Sequence, residues 1–218
     1  MPQTRPHGFF AQSSGGHGAP VLVLHAWWGL NDTVRAYCTQ LAAAGFTAFA
    51  PDLYRGQVTA QVAEAERLSG ALFARLEQPR ADLAAAAAFV HEQAGRPARG
   101  LAVVGFSLGA FFALDLSVSD AQRVHSVVVH YGTRPGDYTA ARAAYLGHFA
   151  ETDPFEPRSE VDALEAALRR AGRPATFHHY PGTGHWFAEA DRAQAYDAPA
   201  AALAWQRTLA FLRRTPNA

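Results

Sequence analysis

A serine flanked by two glycines, in Gly105-Phe106-Ser107-Leu108-Gly109, constrains this chain more than any other feature. The run before it, Leu101-Ala102-Val103-Val104, has the short apolar pattern of a buried strand, and the run after it, Ala110-Phe111-Phe112-Ala113-Leu114, reads as helix. A strand that turns straight into a helix leaves no room for bulk two residues before and two after the apex, so both positions must be small. The apex residue then stands proud of the sheet at a helix N-terminus, where the backbone dipole favours developing negative charge. A Gly-rich turn with an ordinary Ser cap shares the five-residue pattern but not the strand and helix around it. Ser107 is therefore the candidate nucleophile.

The rest of the chain repeats the same alternation of short apolar runs and longer amphipathic stretches, which implies a parallel sheet flanked by helices. Strands are expected at 21–25, 47–50, 101–105, 126–131, 144–149 and 176–180, and helices at 33–44, 60–76, 80–94, 108–118, 160–171 and 199–214. Gly45, Gly95 and Gly172 fall just past helix ends, where a left-handed cap is wanted. The first twenty residues, with their Gly and Ser clusters, hold at most one short edge strand. No repeat or long linker divides the 218 residues, so one domain is expected, with its core over about 20–214.

A serine hydroxyl becomes a good nucleophile only when a histidine takes its proton, and that histidine needs a carboxylate to fix its tautomer. In this kind of sheet the chain order is Ser, acid, His. His185 lies in Tyr180-Pro181-Gly182-Thr183-Gly184-His185-Trp186-Phe187, directly after the last expected strand, where loops at the C-terminal sheet edge form sites. His178 and His179 fall mid-strand, and His7, His17 and His91 read as surface residues. Asp153, in Glu151-Thr152-Asp153-Pro154-Phe155, is the first Asp beyond the 144–149 strand, with Glu151 and Glu156 as rivals on the same loop. The oxyanion of a tetrahedral intermediate needs backbone N–H donors, worth about 2.7–4 kcal/mol each. Leu108, after the nucleophile, is expected to supply one, and Trp27, in the first-strand loop His25-Ala26-Trp27-Trp28-Gly29, the other. Trp27, Trp28, Trp186 and Phe187 are the expected pocket walls.

With these residues in place the chain resembles the dienelactone hydrolase family of α/β-hydrolases. The resemblance rests on His25-Ala26-Trp27-Trp28-Gly29-Leu30-Asn31, Pro51-Asp52-Leu53-Tyr54, the Ser107 pentapeptide, Tyr180 to His185, and a tail running from Tyr196-Asp197-Ala198-Pro199 to Leu212. It implies a three-layer α/β-hydrolase fold with a mostly parallel sheet and no lid domain. It also implies a monomeric cytoplasmic enzyme that opens small ester or lactone substrates, without cofactor or metal, through an acyl-enzyme. Departures limit the substrate: members that cleave dienelactone carry Cys where Ser107 stands, Glu where Ala26 stands, and an Arg after the catalytic His where Glu189 stands. With Trp186, Phe187, Glu189 and Asp191 near His185, the mouth is expected to favour neutral esters over carboxylated lactones.

Composition narrows the alternatives. Lysine is absent, which removes any mechanism needing a Schiff-base lysine, and net charge is zero, so nothing draws the chain to nucleic acid or an anionic membrane. One cysteine, Cys38, precludes an internal disulfide and is read as a buried apolar residue. The apolar runs are too short for a signal peptide or a membrane span, so a cytoplasmic location is expected. An acyltransferase, perhydrolase or thioesterase would use the same triad with another acceptor or acyl group. A catalytically dead α/β-hydrolase serving as a binding module is the alternative of a different class, and a metal enzyme lacks any H-x-x-x-H pattern to support it.

Overall fold

A computed structural model describes residues 5–96 and 100–214. Within these residues seven strands form one sheet: β1 (Gly8–Ala11), β2 (Ala19–Leu24), β3 (Phe46–Pro51), β4 (Leu101–Phe106), β5 (Val124–His130), β6 (Ala144–Ala150) and β7 (Ala175–Tyr180). Their spatial order is β1-β3-β2-β4-β5-β6-β7. Every neighbouring pair is parallel except β1 with β3, so the expected edge strand exists and runs antiparallel.

Among the described residues six helices cover the sheet: α1 (Asp32–Ala43), α2 (Val62–Phe73), α3 (Glu77–Gln93), α4 (Leu108–Ser119), α5 (Arg158–Arg170) and α6 (Ala198–Arg214). Side-chain alternation along the strands divides the core into two. Leu22, Leu24, Val103, Val127 and Val129 pack on one face with residues of α3, α4 and α5. Val21, Val23, Val104 and Val128 pack on the other with Val34, Cys38 and Leu41 of α1 and Ala204 and Leu212 of α6. The result is a three-layer sandwich with the sheet buried on both faces, which is why its strands are nearly continuous apolar runs.

Local chemistry sets the helix ends. Asn31 caps α1 by accepting from the Val34 N–H at 3.1 Å, a contact worth about 1 kcal/mol. Gly45, at φ 96°, ends that helix in the left-handed region that a β-carbon disfavours. The sequence pattern runs one helix through to residue 76 and starts the next at Arg80. In the structure α2 stops at Phe73 and α3 already begins at Glu77. Pro79 is tolerated because the first turn of a helix has no use for its missing N–H. Among the described residues no helix is long and apolar enough to cross a membrane.

Candidate active site

The strand order reverses between β2 and β4, which run parallel, and a crevice opens there beyond the C-terminal strand ends. Ser107 sits at the end of β4 with φ 48° and ψ −113°, a conformation that L-residues rarely adopt. Packing enforces it. A β-carbon on Gly105 would stand 2.3 Å from the Gly109 carbonyl oxygen, and one on Gly109 would stand 2.2 Å from that of Leu24. The Ser107 N–H donates to the His130 carbonyl of β5 at 2.9 Å, tying the apex to the neighbouring strand.

Residues 78 positions apart meet here: Ser107 Oγ is 2.9 Å from His185 Nε2. On the far side of the ring, His185 Nδ1 is 2.6 Å from Asp153 Oδ2. Asp153 Oδ1 accepts two further hydrogen bonds, from the backbone N–H groups of Phe155 (2.9 Å) and Glu156 (3.0 Å). Asp153 is thus an acceptor to every partner it meets here, so Nδ1 is the side of the imidazole that donates and Nε2 faces Ser107 as an acceptor. The side chains of His185 and Asp153 are 3% and 4% exposed, which protects the pair from competing water. Of the two rival acids, Glu151 accepts from the Gly182 N–H at 2.9 Å and Glu156 from the Thr133 hydroxyl at 2.7 Å, and neither reaches the ring by a hydrogen bond.

The loop after β2 is clamped by a residue whose role the sequence pattern did not reveal. His25, fully buried, donates from Nδ1 to the Ala26 carbonyl (2.7 Å) and accepts the Leu53 N–H at Nε2 (3.3 Å). Burial pushes its pKa down, so it stays neutral and can serve both partners. This fixes Trp27, whose indole donates to Ser69 Oγ at 2.8 Å and whose ring lines a cavity beside Ser107. Among the described residues, no protein acceptor takes up the backbone N–H of Trp27 or of Leu108.

The cavity measures about 200 Å³. Trp27 and Trp186 line it as expected, but Trp28 and Phe187 do not. Trp28 is 3% exposed and lies between Trp186 (5.3 Å between centroids) and the Arg192 guanidinium at 4.3 Å, an arrangement that buries its whole ring. Phe187 is fully buried against Tyr131 and Tyr180. Their places are taken by Phe73, Phe111 and Phe155, with Thr133 and Glu156 as polar members. Phe111 projects from the first turn of α4, four residues after Ser107, whereas Phe73 comes from α2, and no spacing rule links that ring to the nucleophile. Burial pushes the Glu156 carboxyl up to about 7, against the stabilising effect of its bond from Thr133.

The acidic mouth read from Glu189 and Asp191 is also not formed. Glu189 is 3% exposed and turned inward, accepting from Tyr131 Oη at 2.9 Å, while the Tyr131 ring packs 5.0 Å from that of His185. Asp191 faces away, accepting from Asn31 and Thr33 and pairing with Arg192 at 2.7 Å. His7 and His17 are exposed and His91 half-buried, whereas His130 and His148 are buried side by side, 4.7 Å between ring centres.

Comparison with known proteins agrees with this architecture. The sequence profile of the dienelactone hydrolase family matches residues 7–215. A protein of Aquifex aeolicus, provisionally named carboxymethylenebutenolidase, is 28% identical over 203 residues, covering 90% of this chain and 88% of its own. One of Escherichia coli K12 with the same provisional name is 29% identical over 209 residues, covering 89% and 76%. The crystal structure of a provisionally named dienelactone hydrolase from Klebsiella pneumoniae superimposes with a TM-score of 0.80 at 25% identity, covering 93% and 90%. The dienelactone hydrolase-like promiscuous phosphotriesterase P91, from metagenomic libraries, shares the fold at 21% identity with a TM-score of 0.85, covering 97% of each chain. The chain belongs to the dienelactone hydrolase family of α/β-hydrolases.

Proposed function

We propose that this protein hydrolyses small carboxylic esters through Ser107, His185 and Asp153, by way of an acyl-enzyme. The observation that carries the reading is the continuous contact from Ser107 Oγ to His185 Nε2 (2.9 Å) and from His185 Nδ1 to Asp153 (2.6 Å). In the first half-reaction His185 takes the hydroxyl proton as Oγ adds to the ester carbonyl. The oxyanion is held by the N–H groups of Leu108 and Trp27, and the imidazolium returns its proton to the departing alcohol. Water repeats the sequence on the acyl-enzyme and releases the acid.

Relatives named carboxymethylenebutenolidase bring a carboxylated lactone into consideration. Such a substrate needs a cation, because an unpaired buried carboxylate costs several kcal/mol. The nearest sequence candidates are engaged elsewhere: Arg67 with Glu64 and Gln57, Arg192 with Asp191 and Trp28, and Arg55 beside a separate cavity with Asp52 and Asp82. Esters without a carboxylate fit the aromatic cavity better. Labelling with a fluorophosphonate tests the mechanism: Ser107 should carry the adduct, and Ser107→Ala should lower kcat by about 10⁴–10⁶-fold. Retention of most esterase activity in that variant would end the proposal.

A further inference from the structure

Five aromatic rings wall the cavity beside Ser107: Trp27, Phe73, Phe111, Phe155 and Trp186. Several meet edge to face or tilted, with Phe155 5.1 Å from Trp186 and 6.1 Å from Trp27, and Phe73 5.2 Å from Phe111. Such a lining surrounds one small space with aromatic side chains. Glu156 is the acidic side chain on that lining, and among the described residues it has no arginine partner. Its bond from Thr133 supplies a dipole but no countercharge.

We propose, resting on the ester-hydrolase reading above, that this pocket selects esters bearing a small organic cation, such as a quaternary or alkylated ammonium group. A weakly hydrated cation gains from ring faces and from an unpaired carboxylate at once, whereas a neutral ester gains nothing from Glu156 and an anionic one is repelled by it. The neighbouring positive charge does not cancel this. Arg134 lies 5.8 Å from the Phe111 ring, but its guanidinium is paired with Asp115 at 2.9 Å. Arg80 binds the same Asp115 and also Glu77, so two arginines face two carboxylates. A cavity of about 200 Å³ suits one compact group of the size of trimethylammonium rather than a long chain.

Titratable groups around Glu156 are Asp153 and Glu160, whose charges raise its pKa, and His185 on the same cavity wall. The carboxyl loses its proton near pH 7, so its attraction for a cation strengthens as pH rises through that region. Taking the ratio of two esters removes the contribution of His185, which is common to both.

The test compares 2-(trimethylammonio)ethyl acetate with its neutral isostere 3,3-dimethylbutyl acetate. The cationic ester should show a kcat/KM at least about tenfold higher at pH 8, with a smaller ratio at pH 6. In Glu156→Gln the ratio should fall at least about fivefold and lose its pH dependence. Tetramethylammonium should compete with the neutral ester in the parental protein, a measurement that needs no variant. Turnover of the neutral ester with no cation preference and no competition overturns this inference and leaves the esterase reading standing. An unchanged ratio in a folded Glu156→Gln protein also overturns it. No turnover of either ester, together with no labelling of Ser107, overturns both.

Discussion

Glu189 offers a perturbation whose size follows from burial alone. The side chain is 3% exposed beneath the His185 loop, and burial, assisted by Asp191, pushes its carboxyl from the ordinary 4.5 up to about 8. The Tyr131 hydroxyl and Arg192 oppose that shift and do not reverse it. A carboxyl with a raised folded-state pKa contributes its full stability below the unfolded value and loses it as pH rises through the folded one. From pH 4.5 upward the unfolded chain has shed a proton that the folded chain keeps, and each pH unit then removes about 1.4 kcal/mol. Between pH 5 and pH 8 the loss assignable to Glu189 is about 4 kcal/mol. Glu189→Gln has nothing to titrate, and its amide oxygen can still accept from Tyr131. Urea unfolding of both proteins in half-unit pH steps should therefore show the parental protein losing about 4 kcal/mol against the variant across that window. In Tm the gap should change by roughly 8–16 °C for a chain of this size. A constant offset tells nothing, since only the slope reports the proton. A gap that stays within about 1 kcal/mol from pH 5 to pH 8 would refute the buried neutral carboxyl.

Two further outcomes are expected. Asp153→Asn should lower kcat by about 10³–10⁴-fold with little change in KM, because it disturbs the His185 tautomer rather than substrate binding; full activity there, with collapse in Glu151→Gln, would move the acid. Cys38 is fully buried, and burial pushes its thiol up to about 12, so native iodoacetamide treatment should leave both the thiol and the activity intact, whereas rapid modification detected by mass spectrometry would show the α1 face to be open.

What could be read from sequence was whatever a single element imposes on its own ends. Ser107 was legible because two glycines and a strand-to-helix turn fix its position, and His185 and Asp153 because each directly follows a β-strand run. Trp28 and Phe187 looked equivalent to Trp27 and Trp186, since adjacent aromatics in a loop carry no periodicity to say which face turns inward. Only the packing of Arg192 over Trp28 and of Tyr131 against Phe187 decides that. Glu189 and Asp191 were read as a charged mouth because acidic residues are mostly exposed. A tyrosine 58 positions away draws Glu189 inward, a contact that local pattern cannot report. Phe111 lies one turn beyond Ser107 on α4, but Phe73 belongs to α2, and only the packing of that ring against Phe111 brings it to the pocket.

The reacting atoms and the pocket walls have different anchorage. Ser107, Asp153 and His185 hang from ends of β4, β6 and β7, within a sheet covered on both faces. Phe73 and Phe155 are instead 42% and 51% exposed, so folding gains comparatively little from burying them. Substitutions at these two positions can reshape what enters the crevice without disturbing the frame that holds nucleophile and base. A lineage built on this scaffold can thus wander through substrates while its chemistry stays in place, and a library randomised at positions 73 and 155 should yield many folded proteins with altered tastes.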